Sequence, residues 1–299
     1  MPFCEFCDKN KIPFKKDEIM KNHTSFKIGG KADYFIECCD ADCLKAVICE
    51  CNRLNLPYFI IGKGSNILVS DEGVEGVVIS LCGFDEISVD GEVITVGAGV
   101  SLAQLCTFAL DNCLTGLEFA YGIPGSVGGA LYMNAGAYGG EMSKVVLSAA
   151  AMDKDGKVYE IELDDMRLGY RRSIFKTNGD IILSVKFGLK KGDKEEIKSQ
   201  MDDFLCRRKD KQPLEYPSAG STFKRPEGHF AGELIEKNNL KGVSVGGAMV
   251  SDKHAGFVIN YDNATAKDVK ELIQKIKKTV REKDGVELEP EVIFVGREE

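Results

Sequence analysis

Two glycine-bearing stretches and three widely separated side chains are the parts of this sequence suited to chemistry. The first stretch, Gly62-Lys63-Gly64-Ser65-Asn66, follows directly on the apolar run Tyr58-Phe59-Ile60-Ile61. Glycines, a hydroxyl and an amide at the end of a buried strand offer free N–H donors and two side-chain partners, a set that suits a diphosphate. It lacks the G-K-[ST] ending of a Walker loop, and it is not a G-x-G-x-x-G that opens a helix. Ile67-Leu68-Val69 and residues 74–81 read as strand, so no helix dipole is expected behind it. The second stretch is Y-G-I-P-G-S-V-G-G-A-L-Y-M-N-A-G-A-Y-G-G, from Tyr121 to Gly140. It is dense in glycine, has apolar spacers unlike a flexible linker, and shows neither a period of two nor of 3.6. Such a backbone can press against a flat ligand and turn successive N–H groups inward. Tight turns inside an ordinary α/β core would explain it equally well on its own.

The side chains are Arg171, in Tyr170-Arg171-Arg172-Ser173; Ser221, in Ala219-Gly220-Ser221-Thr222-Phe223-Lys224-Arg225; and Glu291, in Leu288-Glu289-Pro290-Glu291-Val292. Taken singly, a surface ion pair, a turn serine and an edge-strand charge are the commoner explanations. A net charge of −8 argues against a general nucleic-acid binder. Local basic clusters, Arg171-Arg172 and Lys224-Arg225, still leave room for an anionic small ligand. The odd count of eleven cysteines in a long chain does not read as a secreted disulfide framework. Cys4-x-x-Cys7 would be half a zinc site, but Cys38, Cys39, Cys49 and Cys51 do not supply the other half, so no metal is expected. Reduced thiols acting as small hydrophobes fit better. No apolar run approaches a membrane span, and the N-terminal residues show no signal pattern; a cytosolic protein is the expectation.

Certain elements must position these residues. Residues 1–22 read as a polar, irregular arm. A strand over 32–38 leads to a helix capped by Asp40, with Leu44, Val47, Ile48, Cys51 and Leu54 on one face, closed by Pro57. Residues 58–61 make the next strand, completing β-α-β. A strand pair within 84–99 precedes a helix capped by Ser101. After the glycine stretch, strands are expected over 145–152, 158–161 and 180–189. Residues 190–194 form the clearest boundary, before a charged helix to about 209. The rest reads as a short helix over 231–237, strands over 243–250 and 256–259, a long helix capped by Thr265, and a last strand over 288–294. No repeat is evident.

G-K-G-S-N, G-I-P-G-S-V-G-G-A followed by N-A-G-A-Y-G, Y-R-R-S-I-F-K, A-G-S-T-F-K and L-E-P-E-V, in that order, resemble the UDP-N-acetylenolpyruvoylglucosamine reductase (MurB) family over residues 24–296. The short passage from Ile174-Phe175-Lys176 to the next strand resembles the family's shorter, type II form. The resemblance implies an α+β protein with the FAD-binding fold of the vanillyl-alcohol-oxidase (PCMH) type. Two α/β subdomains, 1–82 (with the N-terminal arm) and 83–191, would hold FAD, and a C-terminal α+β domain, 192–299, would hold the substrate.

The activity it implies is hydride transfer from NADPH to noncovalent FAD and on to the enolpyruvyl group of UDP-N-acetylglucosamine enolpyruvate, giving UDP-N-acetylmuramate. The developing enolate needs a cation, a polarising partner and a proton donor. By match to the family motifs these are Arg171, Glu291 and Ser221, with Glu291 held protonated or paired with Arg171. Cofactor contacts carry over to Gly62, Lys63, Gly64, Ser65, Asn66, Gly122, Gly125, Ser126, Gly128, Gly129 and Asn134. Substrate contacts carry over to Tyr170, Arg207, Lys211, Gln212, Lys224, Arg225 and His254. Small-molecule substrates are the expected partners of a monomer that takes neither nucleic acid nor membrane. A hydroxy-acid oxidase of the same fold and a nucleotide-binding module without catalysis are the competing readings.

Overall fold

The computed structural model describes residues 2–298. They pack as two compact units, each with its own apolar core and neither a continuous stretch of chain. The first takes in Tyr34–Lys63 and Gly76–Arg208 with the residues before Lys16; the second takes in Lys16–Asp33, Gly64–Glu75 and the residues from Lys209 onward.

The first unit begins with a helix where the sequence suggests an irregular arm. Helix α1 (Pro2–Asn10) buries Phe3, Cys4 and Cys7, which join the core that also takes the inner face of α2 (Ala41–Leu54). Three apolar contacts in nine residues are too few to announce an amphipathic helix, so packing rather than propensity sustains it. Helix α2 starts as expected: the Asp40 carboxylate accepts the Cys43 N–H at 2.7 Å. It ends at Asn55 in the left-handed conformation (φ 52°), just before Pro57. The strands on either side of it, Lys31–Glu37 and Tyr58–Ile61, are not neighbours. Val74–Ser80 lies between them, parallel to Tyr58–Ile61.

An antiparallel five-stranded sheet forms the rest of this unit's frame, in the order Val158–Glu162, Val146–Met152, Ile181–Gly188, Val93–Gly97, Ile87–Asp90. Helix α3 (Leu102–Asp111) opens with a capping box between Ser101 and Gln104. The glycine stretch is not all loop: α4 (Val127–Tyr132) lies inside it. Two tertiary bonds set its start, from the Val127 N–H to the Val100 carbonyl and from the Gly128 N–H to the Ala98 carbonyl, both 2.9 Å. Hydrophobic spacing therefore could not reveal it. Downstream, Gly136–Ala137 and Gly140–Glu141 pair across Tyr138 (φ 51°) and Gly139 (φ 83°), the two positive φ values a tight hairpin requires. Helices α5 (Phe175–Asn178) and α6 (Lys194–Lys211) follow.

The second unit packs α7 (Ala231–Lys237) and α8 (Ala266–Asp284) with a three-stranded antiparallel sheet, Ser244–Val245, Ala248–Val250 and Val258–Asn260. The expected single strand over 243–250 is a hairpin turning at Gly246 (φ 50°). Thr265 and Asp268 form a reciprocal capping box on α8, and Asp268 also accepts the Gly247 N–H at 3.2 Å. The last strand is shorter than expected: only Ile293–Val295 pairs, parallel to Ile67–Val69. Leu288 lies in the core, and Pro290, with no N–H to give a ladder, makes an isolated bridge to Phe223. Among the described residues no helix is long and apolar enough to cross a membrane.

Candidate active site

In the first unit, Gly62 ends the buried strand and faces Ser126. A Cβ at Gly62 would come within 2.2 Å of the Ser126 Oγ, so the two glycine-bearing loops approach closely only because one side chain is missing. Ser126 is buried and its Oγ accepts the Gly129 N–H, capping α4. A Cβ at Gly128 would lie 2.8 Å from that of Ala98, and the Leu102 N–H donates to the Gly125 carbonyl at 3.1 Å. Gly122, Gly125, Ser126, Gly128 and Gly129 thus belong to one closely fitted backbone segment. Asn134 is fully buried within it. Its amide donates to the Gly169 carbonyl at 3.0 Å and accepts the Ser143 N–H at 3.0 Å, which anchors the segment carrying Arg171.

That segment turns tightly, with reciprocal backbone bonds between Gly169 and Arg172. Tyr170 and Arg171 form its tip; Arg171 has φ 55°, an uncommon conformation for a residue with a side chain. The Arg171 guanidinium sits 5.2 Å from the exposed Tyr170 ring. Below the tip, the buried Ser173 hydroxyl donates to the Tyr132 carbonyl at 2.7 Å, and the Lys176 ammonium donates to the Arg171 carbonyl at 3.2 Å.

Sequence reading placed Arg207 in the site. The structure shows it exposed, ion-paired with Asp203 one helical turn earlier and resting near the Phe204 ring. Its neighbour Arg208, a quarter-turn around α6, is buried, and a Cβ at Gly122 would lie 3.0 Å from its Nε. Burial makes the Arg208 cation less favourable than usual, while the nearby Tyr138 hydroxyl acts to keep it charged. Two adjacent arginines give no sequence signal as to which turns inward.

In the second unit a chain of backbone contacts gathers the other candidates. The Thr222 N–H donates to the Gly256 carbonyl at 2.9 Å, the Glu291 N–H to the Thr222 carbonyl at 2.8 Å, and the Ile293 N–H to the Asn66 carbonyl at 3.0 Å. The Asn66 amide donates to the Glu291 carbonyl at 3.2 Å, and the buried Thr222 hydroxyl accepts the Val258 N–H at 2.9 Å. Ser221 and Glu291 therefore flank one backbone pairing, with Asn66 on its far side. Ser221 is exposed, and its hydroxyl makes no hydrogen bond among the described residues. Of the first glycine loop, Gly62 and Lys63 pack with the first unit and Gly64, Ser65 and Asn66 with the second.

The other expected substrate residues of the second unit vary in what holds them. Lys224 is ion-paired with Glu289, and Arg225 lies 4.3 Å from the Phe230 ring. Lys211 is exposed and Gln212 partly so. His254 accepts the Gly256 N–H on Nδ1 at 3.0 Å, which puts the proton of the neutral ring on Nε2. Burial holds its pKa below the usual histidine value, opposed by its backbone hydrogen bond, with Lys241 and Lys211 acting in the same direction as burial.

Comparison with known proteins decides what these units are. Residues 32–162 match the FAD binding domain, and residues 212–295 match the UDP-N-acetylenolpyruvoylglucosamine reductase C-terminal domain. The UDP-N-acetylenolpyruvoylglucosamine reductase of Clostridium novyi is 52% identical over 97% of this chain and 94% of its own. This chain belongs to the UDP-N-acetylenolpyruvoylglucosamine reductase family. UDP-N-acetylenolpyruvoylglucosamine reductase 2 of Bacillus anthracis is 49% identical over 95% of this chain and 93% of its own. The crystal structure of the family's enzyme from Thermus caldophilus superposes with a TM-score of 0.81 at 36% identity, covering 95% of this chain and 98% of that one. A berberine-bridge-enzyme-like protein of Physcomitrella patens shares the fold at 15% identity, with a TM-score of 0.52 over 63% of this chain and 44% of its own.

The chain is thus an oxidoreductase with the α+β FAD-binding fold the sequence suggested, and FAD is its cofactor. The residues present suit that group: the backbone at Gly62 and Gly128 packs too closely against Ser126 and Ala98 to admit a side chain, and a buried guanidinium stands against Gly122.

Proposed function

We propose that this enzyme uses NADPH to reduce the enolpyruvyl double bond of UDP-N-acetylglucosamine enolpyruvate, forming UDP-N-acetylmuramate for peptidoglycan synthesis in the cytoplasm. Bound FAD supplies the hydride relay between the two substrates. In this reading residues 1–82 and 83–191 serve FAD and residues 192–299 serve the sugar nucleotide. Lys63, Gly64 and Ser65 join Gly62 and Asn66 as donors to the cofactor, and Asn134 contributes by fixing the segment that bears Arg171.

Each catalytic side chain answers a need of the reaction. Hydride arriving at the terminal carbon of the alkene leaves negative charge on the α-carbon and its carboxylate. Arg171 supplies the permanent cation, its guanidinium fork matched to a carboxylate. Glu291 polarises the carboxylate as a hydrogen-bond partner. Ser221 donates the proton to the α-carbon.

The observation that supports this reading is the backbone pairing of Glu291 with Thr222, which brings the segments bearing Ser221 and Glu291 together on well-anchored backbone. Tyr170, Arg207, Lys211, Gln212, Lys224, Arg225 and His254 are assigned to the sugar nucleotide, and Arg208 is added as support for the cofactor loop at Gly122.

An anaerobic titration in two steps tests the reaction. NADPH should bleach the flavin absorbance, and the enolpyruvyl sugar nucleotide should restore it with one equivalent of UDP-N-acetylmuramate formed. Bleaching without reoxidation by that substrate, but with reoxidation by another acceptor, would reject the assignment.

A further inference from the structure

Five cysteines of the first unit, Cys4, Cys7, Cys38, Cys51 and Cys106, share one core, and Cys43 packs against it. None belongs to the site described above. Cys38 and Cys43 differ from the rest in geometry: their sulfurs are 3.7 Å apart and hydrogen-bonded. Cys38 follows the strand Lys31–Glu37, where its N–H donates to the Ser80 carbonyl. Cys43 sits in the first turn of α2, its N–H held by Asp40. Among the described residues no cluster of histidine, cysteine, aspartate or glutamate side chains is arranged to hold a metal ion, so the pair is not half of such a set.

We propose that Cys38 and Cys43 form an oxidisable dithiol, a modification site that takes a hydroperoxide as oxidant and closes to a disulfide. Cys43 is the attacking sulfur and Cys38 the resolving one. The two differ in access: Cys43 is partly exposed, whereas Cys38 is fully buried. They also differ in ionisation. The hydrogen bond between the two favours the Cys43 thiolate, against the opposing effects of burial and of Asp40, while Cys38 is held protonated by that bond and by burial. Cys7 and Cys51, by contrast, are pushed up to about 12 by burial.

The chemistry balances. The Cys43 thiolate attacks the terminal peroxide oxygen; an S–O bond forms, the O–O bond breaks, and the departing alkoxide (hydroxide, where the oxidant is hydrogen peroxide) takes a proton to leave as alcohol or water. The Cys38 sulfur then attacks the Cys43 sulfenic acid; an S–S bond forms, the S–O bond breaks, and hydroxide leaves with the Cys38 proton as water. Two electrons pass from the two thiols to one peroxide. Closure brings the sulfurs from 3.7 Å to a bonded separation of about 2.05 Å. A loop running only from Cys38 to Cys43 constrains the unfolded chain little. Stabilisation is therefore not what the bond offers; reversible formation is.

The experiment exposes the reduced full-length holoprotein to hydrogen peroxide, blocks remaining thiols, digests without reduction and maps linkages by mass spectrometry. The expected product is a Cys38–Cys43 bond within the tryptic peptide 32–45, removed by dithiothreitol. Cys43→Ser should slow its thiol loss at least about tenfold, as expected when the reactive thiolate is removed. Cys38→Ser should halt at a Cys43 sulfenic acid that dimedone traps. Because Cys38 is buried, Cys38→Ala is run beside it with a thermal melt, and the wild-type map decides the matter if both variants unfold. Linkage through Cys39, linkage of Cys4 to Cys7, or oxidation of Cys43→Ser at the wild-type rate would each overturn the proposal.

Discussion

All eleven cysteines lie in the first unit and none in the second, and the two halves are held to shape in correspondingly different ways. In the first, glycine backbone lies close against neighbouring residues, as where Gly62 faces Ser126 and Gly128 faces Ala98. In the second, polar groups set the geometry: Asp268 ties the Gly247 turn to the start of α8, and Thr222 ties Val258 to Glu291. A surface that must lie close to a flat cofactor gains from missing side chains. A unit built of turns and short strands gains from hydrogen bonds that tie them together. Substitutions should therefore act as clashes in one unit and as lost bonds in the other.

The largest expected effect is chemical and confined to the second unit's residues. Ser221→Ala should leave flavin reduction by NADPH within twofold or so of wild type. It should slow reoxidation by the enolpyruvyl substrate by roughly 10²–10⁴-fold, the usual contribution of a positioned proton donor. Stopped-flow measurement of the two half-reactions checks this, and equal loss in both would remove Ser221 from its role.

Next in size is a clash in the first unit. Gly128→Leu places atoms where the Ala98 Cβ already lies within 2.8 Å of the first added carbon. About 1–3 kcal/mol of stability should be lost, as overpacking typically costs, with FAD retention falling as well. Hydrogen exchange should show the lost protection in α4 and the strand Val93–Gly97. An unchanged melting profile would break the contrast between the units.

Asp268→Ala should cost about 1 kcal/mol through the lost cap of α8, a typical value for such a change. Its exchange signature should fall on α8 and the hairpin at Gly246. Burial alone would raise the Asp268 pKa, but N–H bonds from Thr265 and Gly247 outweigh it and hold it below the usual aspartate value. The stability this contributes is present above the unfolded pKa and lost as pH falls through the folded one, and Asp268→Asn should flatten that acid limb.

The smallest effect concerns His254, whose folded pKa is depressed chiefly by burial. Its contribution is present above about pH 6.5, the unfolded histidine value, and is lost as pH falls through the folded value. Melts between pH 7 and pH 5 should be less pH-dependent in His254→Gln.

Local signals made much of this legible. Asp40, Ser101 and Thr265 announced their helices because an N-cap needs only its own side chain and the next turn. The inward face of α2 followed from spacing alone. What failed depended on distant residues. Helix α1 exists because Phe3, Cys4 and Cys7 find a core. The Val127 turn is helical because Ala98 and Val100 accept its first N–H groups. The G-K-G-S-N run read as one loop, yet Asn66 belongs with Glu291, far along the chain. Residue types in α6 likewise do not say that Arg207 faces solvent while Arg208 is buried.

The sequence by itself determined the family, the cofactor class and the helices that carry their own caps, since motif order and capping are written in residue types. Only the tertiary structure decided which sheet neighbour separates the first two strands, which arginine turns inward, and that Cys38 and Cys43 meet. Those outcomes depend on partners brought together by packing, and hydrophobic burial has no address in the local sequence.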